Sequence, residues 1–111
     1  MDSTLDVARA FVQAVQDRNA DAAAELCAED VEVTLPGIAV PFQGKDGVRE
    51  MIRLAPSELV QTPRDESADG KTVKITTLTR APGVFANYTT WKFQIEGSLV
   101  RRLDFELRAA N

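Results

Sequence analysis

The stretch from Val84 to Leu107 constrains this chain more than any other. Two apolar-rich runs, Phe85 to Ile95 and Leu99 to Leu107, flank Glu96-Gly97. The first is dense in residues that suit a pleated strand, among them Phe85, Tyr88, Thr89, Thr90, Trp91, Phe93 and Ile95. The pattern predicts a β-hairpin, and the length of its loop decides which residues share a face. With a two-residue turn at Glu96-Gly97, Phe93 opposes Val100, Trp91 opposes Arg102, Thr89 opposes Asp104 and Asn87 opposes Glu106. The other face then carries Ala86, Tyr88 and Thr90 beside Leu103, Phe105 and Leu107. A three-residue loop would bring Trp91 to Leu103 instead. Glycine in the second loop position favours the two-residue turn, and that is the register expected here.

The segments before it alternate between helical and strand periodicity. Asp2, Ser3 and Thr4 are N-cap candidates, and Asp6 places a negative charge in the first turn. Leu5, Ala8, Phe11, Val12 and Val15 then recur at helical spacing to about Arg18, where Asn19 offers a stop. Asp21 caps a short alanine-rich helix from Ala22 to Ala28. Val31, Val33 and Leu35 alternate with Glu32 and Thr34, which reads as a half-buried strand ended by Pro36-Gly37. Ile38 to Phe42 is a loop or short strand. A third helix follows Gly44, with Val48, Met51, Ile52 and Ala55 on one face and Pro56 as its end. Leu59 to Ser67 reads as an edge strand, because Pro63 removes a ladder donor. Asp69-Gly70 and Pro82-Gly83 are turns on either side of a β-branched strand, Lys71 to Arg80. Helices that segregate to one face of a bent antiparallel sheet make an α+β domain.

At 111 residues the chain is expected to form a single domain with one core. A net charge of -4 with no basic patch argues against nucleic acid or an anionic membrane as partner. No apolar run is long enough to span a bilayer, and the start of the sequence has a helix signal in place of a signal peptide. A lone Cys27 cannot form an internal disulfide, which fits a reducing cytoplasmic setting. The sequence contains no histidine, so imidazole is excluded as base or metal ligand and acid–base work would fall to carboxylates. Asp65, Glu66 and Asp69 lack calcium-loop spacing, and no metal or cofactor is expected.

The order of these signals carries a resemblance. A long first helix leads through Asn19-Ala20-Asp21-Ala22-Ala23 into a short helix ending at Cys27-Ala28-Glu29-Asp30-Val31. Phe42-Gln43-Gly44-Lys45-Asp46-Gly47-Val48-Arg49-Glu50 then opens the third helix, and the final strands close on Glu96-Gly97-Ser98-Leu99-Val100. Over nearly the whole chain this resembles the SnoaL-like and ketosteroid-isomerase-like members of the nuclear transport factor 2 (NTF2-like) superfamily. The resemblance implies an NTF2-like, cystatin-like cone in which three helices and a curved antiparallel or mixed sheet enclose a pocket. It does not imply one activity, since this superfamily includes isomerases, cyclases, dehydratases, hydrolases and binding modules. Ketosteroid isomerases use a helix tyrosine, a proton-shuttling aspartate after the first strand and a protonated aspartic acid on a later strand. Those positions correspond here to Phe11, Leu35 and Trp91, so that chemistry is not expected.

Two groups of candidate site residues follow. Phe11, Leu35, Met51, Trp91 and Phe93, with Asn87 and Thr89, would line an apolar, aromatic pocket for a small apolar molecule. Arg102, Asp104 and Glu106 alternate along the last strand, and the expected register places them with Trp91, Thr89 and Asn87 towards the cavity. Alternate strand residues lie roughly 6–7 Å apart, so the arginine would hold Asp104 ionised as base and leave Glu106 as proton donor. The competing reading makes this charged face solvent-facing, with Leu103, Phe105 and Leu107 inside. A carboxylate enzyme without cofactor, a non-catalytic binder of a small apolar ligand and a dimeric interaction module all remain open. Tyr88, Leu103 and Phe105 on the outer sheet face would form an apolar patch, from which a homodimer is expected.

Overall fold

The computed structural model describes residues 3–55 and 58–109. Helix α1 spans Thr4–Gln16 and starts in a capping box: Ser3 Oγ accepts from the Asp6 N–H at 3.1 Å, and the Ser3 N–H donates back to the Asp6 carboxylate. It buries Ala8, Phe11 and Val12, as the spacing predicts, together with Val7 and Ala14, while Leu5 and Val15 are only partly buried at the edges of that face. Arg18 ends it with a left-handed φ of 56°, while the Asn19 N–H donates to Ala14 O and the Arg18 N–H to Val15 O. Asn19 is thus less a stop than a start. Its side chain accepts from the Ala22 N–H and caps α2, Ala20–Glu25. Strand β1 begins directly afterwards and runs Cys27–Thr34, so Cys27 and Ala28 belong to a strand and not to the helix expected there.

A turn-rich passage leads to β2, Phe42–Gln43, and α3, Gly44–Leu54, which buries Val48, Met51 and Ile52. Pro56, expected to end α3, lies outside the described residues. Strands β3 (Val60–Asp69), β4 (Thr72–Ala81), β5 (Phe85–Glu96) and β6 (Leu99–Ala109) form a meander. The sheet order is β2-β1-β6-β5-β4-β3, with β3 at an edge as Pro63 requires. Among the described residues only β1 with β6 is parallel, so the sheet is mixed. The helices cover one face. There Phe11 of α1 meets Phe93 edge-on at 5.7 Å and Trp91 at 6.3 Å, in a core that includes Ile75, Ile95, Val100 and Leu103. None of the helices among the described residues is long and apolar enough to cross a membrane.

The hairpin of β5 and β6 departs from the expected register in two ways. Its turn is Gly97-Ser98, with Glu96 paired to Leu99 and Ile95 to Val100. Glycine therefore occupies the first loop position with φ of 63°, as it does at Gly70 in the Gly70-Lys71 turn, where φ is 62°. A positive φ at the first position only is the type II′ arrangement, which matches strand twist. Beyond the turn the register shifts by one residue: Gln94 pairs with Arg102, so Arg101 is an extra residue on β6. The slipped turn alone would keep the expected faces, but the bulge reverses them. Phe93 faces Leu103, Trp91 faces Phe105 and Thr89 faces Leu107, while Lys92 faces Asp104 and Thr90 faces Glu106.

Candidate functional site

An open cavity of about 310 Å³ lies between the inner face of the sheet and the end of α3. Met51, Ile52 and Leu54 of α3 form one wall. Leu35 and Ile38, from the segment after β1, form a second with Phe42 of β2. The sheet supplies Phe105 and Leu107 of β6, Phe85 at the start of β5 and a polar strip. That strip is Gln61 of β3, Thr79 of β4, and Asn87 and Thr89 of β5. Ile38, Leu54 and Leu107 remain about half exposed and mark the mouth. No ionisable side chain belongs to the described lining.

The strip is contiguous because the register makes it so: Gln61 pairs with Thr79 and Thr79 with Asn87, while Thr77 pairs with Thr89. Thr77, Thr79 and Thr89 are buried, and hydrogen bonds join them. The Oγ atoms of Thr77 and Thr79 each lie 2.7 Å from Gln61 Oε1, Thr79 lies 2.7 Å from Thr89, and Thr89 lies 2.9 Å from Asn87 Oδ1. At the inner end the Trp91 indole N–H donates to Thr77 Oγ at 3.0 Å. Gln61 is also tied to α1, since its backbone N–H donates to Gln16 Oε1 at 2.6 Å.

The structure divides the residues singled out from the sequence. Leu35, Met51, Asn87 and Thr89 share the cavity wall. Phe11, Trp91 and Phe93 sit one layer deeper, 0–1% exposed, as core packing beneath it. Trp91 packs beneath the wall residue Phe105, whose ring centroid is 4.8 Å away. Arg102, Asp104 and Glu106 lie on the opposite face of the sheet, because the Arg101 bulge turns them away from the helices. There Arg102 Nε donates to Asp104 at 2.9 Å and Arg102 Nη1 to Glu32 at 3.2 Å. Thr34 Oγ donates to Asp104 at 2.5 Å, and Lys92 pairs with Glu106. Partial burial pushes the Asp104 carboxyl up, but the hydrogen bonds from Arg102 and Thr34 and the nearby charges outweigh it and hold the group below its ordinary value. The cluster is internally paired and faces away from the cavity.

The outer apolar patch expected from Tyr88, Leu103 and Phe105 is not formed either. Leu103 is fully buried in the core and Phe105 faces the cavity, which leaves Tyr88 outside beneath the Arg108 guanidinium at 5.1 Å. The sequence did not single out Gln61 or Thr79 as wall residues, and Phe105 and Leu107 were placed inside by the competing reading of the last strand, which the observed register follows. A signal existed for the threonines: Val73, Ile75, Thr77 and Thr79 keep one phase, so polar residues continue an apolar face. Cys27 is buried against α2, where its thiol donates to Ala23 O at 3.3 Å and burial pushes its pKa up to about 12.

Comparison with known proteins agrees with this architecture. A Sphaerobacter thermophilus protein structure superimposes with a TM-score of 0.85 at 24% identity, over 95% of each chain. A candidate ketosteroid isomerase from Kribbella flavida gives 0.86 at 21% identity, over 97% of this chain and 79% of its own. A candidate polyketide cyclase from Sinorhizobium meliloti gives 0.80 at 23% identity, over 91% and 94%. These likenesses establish the fold, an NTF2-like cone. No curated protein sequence matches the chain. The sequence profile of the SnoaL-like domain matches residues 8–104, nearly the full length, and the chain therefore belongs to the SnoaL-like domain family.

Proposed function

We propose that this protein binds a small, uncharged, predominantly apolar molecule in the cavity between α3 and the inner sheet face, without acid–base chemistry of its own. The observation that carries the reading is the wall itself. It is apolar apart from Gln61, Thr79, Asn87 and Thr89, and it holds no ionisable side chain among the described residues. A few placed hydrogen-bonding groups in an apolar cavity are what ligand recognition requires. Proton transfer at neutral pH needs a titratable group within reach of the ligand, and of the carboxylates expected to supply one, Asp104 pairs with Arg102 and Glu106 with Lys92 on the far face. The ketosteroid isomerase positions, occupied by Phe11, Leu35 and Trp91, offer no polar substitute.

Fluorescence titration with diphenylhexatriene, a neutral hydrocarbon that emits in apolar surroundings, tests the reading. Saturable one-site binding is expected, and Leu35→Trp, which fills the cavity wall, should abolish it. The reading fails if the dye does not bind, or if Leu35→Trp binds it as well as the parent protein.

A further inference from the structure

Deepening the reading above and resting on it, we propose that Gln61 and Asn87 are the two ends of a reversible hydrogen-bond ladder that recognises one uncharged oxygen, a carbonyl or a hydroxyl alike, on an otherwise apolar ligand. Four contacts of 2.9 Å or less link Thr77 to Gln61, Gln61 to Thr79, Thr79 to Thr89 and Thr89 to Asn87. Each threonine hydroxyl has one proton to donate. If both amides turned their carbonyl oxygens to the threonines, three protons would have to serve four contacts, and one short oxygen pair would hold none. At least one amide therefore directs its NH2 inward and its carbonyl outward, a half-turn that exchanges nitrogen and oxygen in place.

Two arrangements close the ladder. In the first, Gln61 turns its NH2 inward and donates to Thr77 and Thr79, and the Thr77 hydroxyl donates to Thr79 Oγ at 3.3 Å. Thr79 then donates to Thr89 and Thr89 to the Asn87 carbonyl oxygen, so the Asn87 NH2 is left for the ligand. In the second, Thr77 and Thr79 donate to the Gln61 oxygen, Thr89 donates to Thr79 and Asn87 donates to Thr89. The Asn87 carbonyl is then left for the ligand. Turning both NH2 groups inward leaves one hydroxyl proton with no acceptor in the ladder. The two ends thus present opposite polarity, and reversing one reverses the other.

The buried inner end stays fixed in both arrangements, because the Trp91 N–H always donates into Thr77. No other described side chain hydrogen-bonds the outward amide atom of either residue, and both residues line the cavity. A ligand ketone would select the first arrangement at Asn87, accepting from its NH2. A ligand alcohol would select the second, donating to its carbonyl. A carboxylate is rejected, because the described wall holds no cation to offset its loss of hydration.

Calorimetric binding of naphthalene, naphthol, acetylnaphthalene and naphthoate to the intact protein tests this. Naphthol and acetylnaphthalene should both bind about two- to tenfold more tightly than naphthalene, the range of one net hydrogen bond, and naphthoate more weakly. In Asn87→Ala that advantage should vanish while naphthalene binding persists. The side-chain NH2 resonances of Asn87 and Gln61 should shift with the two oxygenated ligands and not with naphthalene, a readout independent of the variant. If naphthalene binds and the oxygenated ligands bind no better, the ladder proposal alone is overturned. If naphthoate binds best, the proposal is equally overturned. If no member of the series binds, the cavity reading falls with it.

Discussion

Trp91 lies directly across the β5–β6 ladder from Phe105, with ring centroids 4.8 Å apart. Phe105 in turn forms part of the cavity wall, so the ring pair joins the core to the site. The pairing exists because Arg101 bulges out of β6. Val100 and Leu103 are both buried, and two apolar residues three positions apart cannot face one way on an unbroken strand. The extra residue places the two intervening arginines at the surface, where Arg101 pairs with Asp30 at 2.9 Å and Arg102 with Asp104.

Deletion of Arg101 should therefore be tolerated, because it removes the bulge and keeps the faces. Val100 and Leu103 become alternate residues, so an unbroken strand holds both in the core and leaves Phe105 on the inner face. Cooperative thermal unfolding by circular dichroism is expected for the deletion, and Arg101→Ala, which keeps the bulge, should change little. A deletion variant that unfolds without cooperativity would show that the extra residue does more than set the faces.

Phe11 joins α1 to the sheet through its contacts with Phe93 and Trp91 and is wholly buried. Phe11→Ala should cost about 3–5 kcal/mol, as aromatic truncations in a closed core do. Urea unfolding measures it, and a loss under about 1 kcal/mol would mean that α1 repacks over the vacancy.

Asp104 gives a pH dependence of known sign. Its folded pKa lies below the ordinary aspartate value of 3.8, so its contribution to stability is present above that value and is lost as pH falls through the folded one. Asp104→Asn should be less stable than the parent near neutral pH and lose less between about pH 7 and pH 3. The acid sensitivity that remains would include Glu66, whose pKa is lowered by its hydrogen bonds with Arg9. Diphenylhexatriene affinity should not change, because Asp104 is on the other face of the sheet. Weakened dye binding would contradict that placement.

Cys27 should be inert in the native protein. Burial raises its thiol to about 12 and leaves it no exposed surface, so little reactive thiolate exists near neutral pH. Iodoacetamide labelling followed by mass spectrometry should be negligible until the protein is unfolded in urea. Rapid modification of the folded protein would indicate local opening between α2 and β1.

The sequence by itself determined what local chemistry controls. Ser3 and Asp6 cap α1 because short polar side chains reach the free N–H groups of a first turn, and the apolar spacing of Ala8, Phe11 and Val12 names the centre of the buried face without reference to the rest of the fold. Pro63 placed β3 at an edge because a residue without an N–H is excluded from the middle of a sheet. Leu35 and Met51 were legible as wall residues from the resemblance and their apolar character. What only the tertiary structure decided was the phase of β6. Strand side chains repeat every two residues, so one unpaired residue exchanges the faces of everything beyond it. The cue was present in the spacing of Val100 and Leu103, but local propensity does not choose between a bulge there and a longer loop at Gly97. Burial of both residues in the common core makes that choice. It places Phe105 and Leu107 in the cavity, and it leaves Arg102, Asp104 and Glu106 outside it.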